Sequence, residues 1–329
     1  MAPWPRRRRS GAGAGAGTAP GAPVYDQAYG DRSLEQCRQD MVMGRWEGAR
    51  DLLAEHPRTD WDRRAHRIRL LADAAASRRT VDVWYAADPG DPDAAVLRAE
   101  TEVMRTFAVA RSGAMPANES LDQVAGLCLR AAELAPEDPY PYVSLVTLAR
   151  LYDRGDPNMG HWWKELRARD PYHREGHHQA LRYLSPRWHG SNGEANNFAW
   201  DVAVYAPPGS PLVVLPQVAR AEQYRHQMEA EGRTAIGLAY HWSGDRARWD
   251  LRNALDNWVA HRTVAYAQDV ADLNYLAHGL VHAGMEDRAP AVFALLDNRA
   301  TRVPWSYSGD AESLFVRWRD KVLDLPEQR

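Results

Sequence analysis

Asp138-Pro139-Tyr140 and Asp170-Pro171-Tyr172 stand 32 residues apart (170 − 138), and each punctuates a chain that otherwise reads as helices. Asp91-Pro92-Asp93 does the same before the helical pattern of Ala94–Met104. At each point one helix ends, Asp caps the next, and Pro takes its first position, where the missing amide hydrogen costs nothing. Ahead of Asp138, the residues Val124, Cys128, Ala131 and Leu134 form an apolar stripe that closes on Pro136. Punctuated stripes of this kind predict paired antiparallel helices rather than one closed core.

The rest of the chain agrees. Gly44 followed by Trp46, Ala49, Leu52 and Leu53 reads as a turn between two closely packed helices. Asp60 or Asp62 caps a helix whose stripe is Ile68, Leu70, Leu71 and Ala74. Leu273, Leu276, Ala277, Leu280, Gly284, Ala289, Phe293 and Leu296 give a second helix pair with Gly284 in its turn. Alternation that would suit a strand is confined to Leu212-Val213-Val214-Leu215, between prolines. A period in the low thirties with this punctuation resembles tetratricopeptide repeats. The expected fold is therefore all-α, an α-α superhelix of degenerate tetratricopeptide-like hairpins. Residues 30–329 are expected to form it, with a subdivision near 207–211, where Pro207-Pro208-Gly209-Ser210-Pro211 breaks the chain.

Residues 1–29 read as a disordered basic tail rich in Gly and Ala, with arginines at positions 6 to 9. A secretory signal needs a strongly apolar run of roughly 7–15 residues after its basic start, and Gly, Ala, Thr and Pro stand there instead. The reading is a cytoplasmic protein, with a degenerate export signal as the alternative. No apolar stretch is long enough to span a membrane. The net charge of −3 is too near neutral to argue for nucleic acid or an acidic substrate, and no specific nucleic-acid partner is expected. The two cysteines, Cys37 and Cys128, lie between apolar neighbours and read as reduced, buried thiols.

One stretch carries more than a helical hairpin needs: Pro186-Arg187-Trp188-His189-Gly190-Ser191. As a site, Arg187 would grip a carboxylate or phosphate, Trp188 would be a flat apolar anchor, and His189 and Ser191 would add polar contacts. As a structural corner, Trp188 would fill a gap between repeats, Gly190 would take a positive φ, and Ser191 would cap the next helix. Trp162 and Trp163 are further candidates for lining a groove. His173 and His177 are one helical turn apart and are the metal-ligating candidates, with His161 or His189 completing a set. The string His173–His178 lacks the zinc-protease arrangement, since Glu175 is not beside the first His. No serine-hydrolase elbow, phosphate loop or dinucleotide fingerprint occurs. No cofactor is implied. The expectation is a binding or scaffold module for a protein or peptide partner. The rival is a metal-dependent or other small-molecule enzyme using segment 173–189.

Leu184-Ser185-Pro186-Arg187-Trp188-His189-Gly190-Ser191, with Phe198-Ala199 after it, resembles the bacterial family known as domain of unknown function 4034. The resemblance extends to Pro208-Gly209-Ser210, Asn274-Tyr275-Leu276-Ala277 and Trp305-Ser306-Tyr307, and so covers most of the chain from Asp31 to Leu325. His189 stands where that family usually has glycine, and Glu194-Ala195-Asn196-Asn197 replaces an acidic, methionine-bearing run. The resemblance implies an all-helical, tetratricopeptide-like fold and no particular activity.

Overall fold

The computed structural model describes residues 21–55, 60–232 and 237–323, and among them the regular elements are helices. In chain order they are α1 (Arg32–Val42), α2 (Glu47–Ala54), α3 (Trp61–Ala75), α4 (Thr80–Ala87), α5 (Pro92–Arg111), α6 (Asn118–Leu134), α7 (Tyr140–Leu148) and α8 (Met159–Arg169). They continue as α9 (Arg174–Tyr183), α10 (Asn192–Tyr205), α11 (Leu215–Glu231), α12 (Asp245–Asn257), α13 (Asp269–His282), α14 (Pro290–Leu296), α15 (Trp305–Ser308) and α16 (Ala311–Leu323). Short 3-10 turns join several of them.

Alternate helices stack on one another: α1 on α3, α3 on α5, α5 on α7 and α7 on α9. Each also packs against its sequence neighbour, the arrangement of stacked hairpins. The Asp-Pro punctuation holds this stack together through a charge that the sequence did not display. Arg64 of α3 donates from Nε to Asp138 Oδ2 and from Nη2 to Asp93 Oδ1, both at 2.7 Å. All three side chains are buried, so the ends of α5 and α7 are tied to α3. Asp91 caps α5 by accepting from the amides of Asp93 and Ala94, with Pro92 at the first position. Asp170 departs from the pattern. It accepts from the Tyr172 amide, and the cap of α9 is the His173 ring, whose Nδ1 accepts from the Gly176 amide.

Two apolar cores result, one drawing on residues from Ala28 to Ala180 and the other from Leu181 to Val322. The division falls inside α9, earlier than the proline-rich segment 207–211. The second core contains the hairpin read from sequence: Leu276, Ala277, Leu280, Ala289, Phe293 and Leu296 are fully buried, and Gly284 makes the turn at φ 67°. Leu212–Leu215 is not a strand. Ser210 Oγ accepts from the Leu212 amide, Pro211 starts a 3-10 turn, and the chain runs on into α11 with Pro216 in its first turn. All four residues are buried, so their lack of periodicity reflects burial on every side.

The basic run at positions 6–9 and the Gly/Ala repeat lie outside the described residues. Residues 21–29, read as part of the tail, pack instead on the second core. Val24 bridges to Arg299, the Val24 amide donates to Asn298 O at 2.7 Å, and Arg319 Nη1 donates to Gly21 O. The cause is apolar surface: Tyr25 and Tyr29 lie against the second core, and Ala28 is buried in the first. No described helix is long and apolar enough to cross a membrane.

Candidate functional site

The stacked helices and the segment 25–29 enclose a groove of about 720 Å³ between the two cores. The inner helices α3, α9, α11 and α13 contribute its floor and walls. Seven arginines line it against three carboxylates, Asp26, Glu175 and Glu222. That imbalance sits in a chain of net charge −3, so it is a local property of the groove.

Most of these charges are satisfied. Arg174 donates from Nε and Nη2 to the two carboxylate oxygens of Asp272, each at 2.6 Å. Burial opposes its charge, but Asp272 and then Glu175 hold it above the ordinary arginine range. On the α11 wall, Glu229 accepts from both Arg187 and Arg225, and Tyr307 donates to Glu222 at 2.9 Å. Asp26 is turned onto its own backbone, accepting from the amides of Ala28 and Gly30.

The floor is different. Arg69 approaches Glu175 only at 3.9 Å, with its side chain 42% exposed into the groove. Arg150 lies over the rings of Phe107 and Trp188 and donates to the Thr147 carbonyl. Burial pulls its pKa down to about 9, and Arg182 adds to the fall. Among the described residues, neither Arg150 nor Arg182 forms an ion pair. Glu175 is the buried counter-charge. Burial pushes its pKa up, but Arg69, Arg182 and Arg174 outweigh burial and keep it ionised well below the carboxylate range. Gln179 Nε2 donates to it at 2.6 Å. Beneath lies Glu100, which accepts from Ser144 Oγ at 2.6 Å and is pushed up to about 7, chiefly by burial.

Comparison with family models, curated proteins and solved structures finds no match. The reading of the groove therefore rests on its geometry.

The residues singled out from sequence divide. Arg187 and Trp188 reach the groove rim. Trp188 also packs edge-on to Phe107, 6.1 Å between ring centroids, so it is part of the wall as well as the rim. His189 does not line the groove. Its Nε2 faces the Arg150 carbonyl at 3.0 Å and its ring lies 5.0 Å from that of Tyr183. Ser191 also faces away from it, capping α10: its Oγ accepts from the Glu194 amide and donates to Glu194 Oε2. Gly190 does not take a positive φ. A Cβ there would collide with the Leu184 carbonyl, so glycine is needed for a close backbone approach.

Trp162 and Trp163 belong to α8, which packs on the outer side of α7, and they do not line the groove. Trp162 is buried in the first core, and Trp163 stacks edge-on to His177 and Phe198. His173 and His177 share a face but spend a nitrogen each on backbone: His173 Nδ1 on the Gly176 amide, His177 Nδ1 on the His173 carbonyl. Burial lowers the pKa of both, to about 3 and about 4. No group of three metal-binding side chains occurs among the described residues.

Arg69, Arg150, Arg182 and Glu175 escaped the sequence reading. One signal was present: Arg174, His178 and Arg182 fall at successive fourth positions, one polar face of α9. Arg69 and Arg150 come from other elements, and nothing local marks them.

Proposed function

We propose that the chain is a binding module whose groove takes an extended, acidic segment of a partner protein. The observation that carries the reading is the surplus of arginine on the groove floor, where two guanidinium groups have no carboxylate. A charge left unpaired in a concave, partly desolvated site is costly to the free protein, and an anionic ligand removes that cost. A peptide is favoured over a bare small anion by the walls. Asn192, Asn196, Gln223 and Gln268 line them with amide groups; Asn196 Nδ2 donates to Gln223 Oε1 and Gln268 Nε2 to Glu175, and the remaining amide donors and acceptors suit an extended main chain. Tyr275, Tyr307 and Trp188 add aromatic surface for side chains between the acids.

The enzyme reading finds less support. Its histidines, His173, His177 and His189, point to three different backbone or aromatic surroundings and share no centre. Membership of the domain of unknown function 4034 family is proposed on the resembling sequence segments alone. Asn274 accepts from Trp305 Nε1 at 2.8 Å, and Tyr275 and Tyr307 flank the groove beside Arg187 and Trp188. A cytoplasmic setting accords with two unpaired, buried cysteines.

The test is fluorescence anisotropy with labelled peptides of equal length, one glutamate-rich and one lysine-rich, across a salt series. The acidic peptide should bind, and binding should weaken as salt rises. Equal or no binding of the two peptides at low salt sinks the proposal.

A further inference from the structure

The floor of the groove has a composition that an acidic side chain alone does not match. Arg69 comes from α3, Arg150 from the 3-10 turn after α7, and Arg182 from α9, and all three face one cavity. Glu175 is the buried carboxylate beside them, 3.9 Å from Arg69 and, among the described residues, in no ion pair with Arg150 or Arg182, and Arg174 is already neutralised by Asp272. Three positive groups against one negative group leave a surplus of two. A carboxylate would cancel half of it. A phosphate monoester, with a charge of about −2 and three terminal oxygens, would cancel it and offer each guanidinium an acceptor.

We propose that Arg69, Arg150 and Arg182 form a phosphate-monoester site that receives a phosphorylated side chain of the bound segment. The proposal rests on the acidic-peptide reading of the groove. The rings of Phe107 and Trp188 hold the Arg150 plane, at 4.6 and 5.1 Å from its guanidinium carbon, and with Nε on the Thr147 carbonyl the two Nη groups are left for a ligand. Glu175, fixed by Gln179, anchors the neighbouring arginines without saturating them. Glu100 lies below and is pushed up to about 7 by burial, so it withholds part of the negative charge that would otherwise fill the surplus.

The experiment uses the full chain and three peptides identical except at one position, which carries phosphoserine, serine or glutamate. Inorganic phosphate serves as competitor, with thermal midpoints recorded in parallel. The phosphopeptide should bind at least about ten-fold more tightly than the serine peptide, with glutamate in between. Phosphate should compete, and Arg182→Gln should erase the preference while still binding the serine peptide. Equal affinity for the phosphoserine and serine peptides overturns the phosphate site and leaves the groove reading standing. Phosphate that raises the thermal midpoint while no peptide binds supports the site and removes the peptide reading. Silence from both peptides and phosphate overturns both. The wild-type comparison decides by itself, and Arg69→Gln gives a second variant if Arg182→Gln fails to fold.

Discussion

Arg174 and Asp272, 98 residues apart, meet through two parallel hydrogen bonds of 2.6 Å, with side chains 6% and 1% exposed. They join α9 to α13, across the seam between the two cores. A buried pair of this kind is held more by the penalty of breaking it than by its own attraction. Asp272→Ala strands Arg174 and should cost about 3–5 kcal/mol in denaturant unfolding. Joint replacement, Arg174→Met with Asp272→Leu, should recover most of that loss. If Asp272→Ala costs less than about 1 kcal/mol, the seam does not depend on the pair.

Glu100 gives the chain a pH signature. Its folded pKa, about 7, lies above the ordinary 4.5, because burial outweighs the Ser144 hydrogen bond. The folded state therefore holds the proton more tightly than the unfolded chain. Its contribution is fully present below about 4.5 and is lost as pH rises through about 7. Glu100→Gln keeps an acceptor for Ser144 and removes the titration. At about pH 8 the variant should be more stable than wild type, by on the order of 2–3 kcal/mol, and the two should converge below about pH 4.5. A variant less stable at high pH would mean that ionised Glu100 is needed by Arg69 and Arg150.

What the sequence displays and what it hides follow one physical line. Local signals were legible: Asp91 and Ser191 as caps, Gly284 as a turn, and Leu273 to Leu296 as a hairpin. Each depends on groups within a turn or two of one another. Asp138 announced a helix start but not its grip on Arg64, 74 residues away. Asp170 looked equivalent, yet His173 took over the cap, because its ring nitrogen reaches the Gly176 amide. Trp162 and Trp163 carried no mark of belonging to an outer helix. The floor arginines were hidden for the same reason as Arg64, since three separate elements supply them. In a chain with arginine in nearly every basic position, number alone marks none of them.

The Pro186–Ser191 turn should respond to substitution as backbone geometry dictates. Gly190→Ala drives a Cβ into the Leu184 carbonyl and should cost at least about 2 kcal/mol, moving Trp188 with the turn. Ser191→Ala removes the side-chain cap of α10 and should cost about 1 kcal/mol. Arg187→Ala removes a half-exposed, salt-screened pair with Glu229 and should change stability by under about 0.5 kcal/mol. Thermal unfolding in that rank order supports the turn as a rigid rim. The reverse order would put the stabilising contacts in the side chains.

Arg150 separates ligand binding from stability. Its guanidinium is desolvated, its pKa pulled down to about 9, and among the described residues no carboxylate pairs with it. Charge held this way weakens the free protein, and a ligand anion is what repays it. Arg150→Met keeps an unbranched side chain between Phe107 and Trp188, with sulfur suited to aromatic neighbours. The variant should unfold about 1 kcal/mol later than wild type without ligand, yet lose the affinity for acidic peptides. Gain of stability with loss of binding would assign Arg150 to the ligand. Loss of both would make it a structural strut between α7 and the turn at Trp188, leaving the ligand to Arg69 and Arg182.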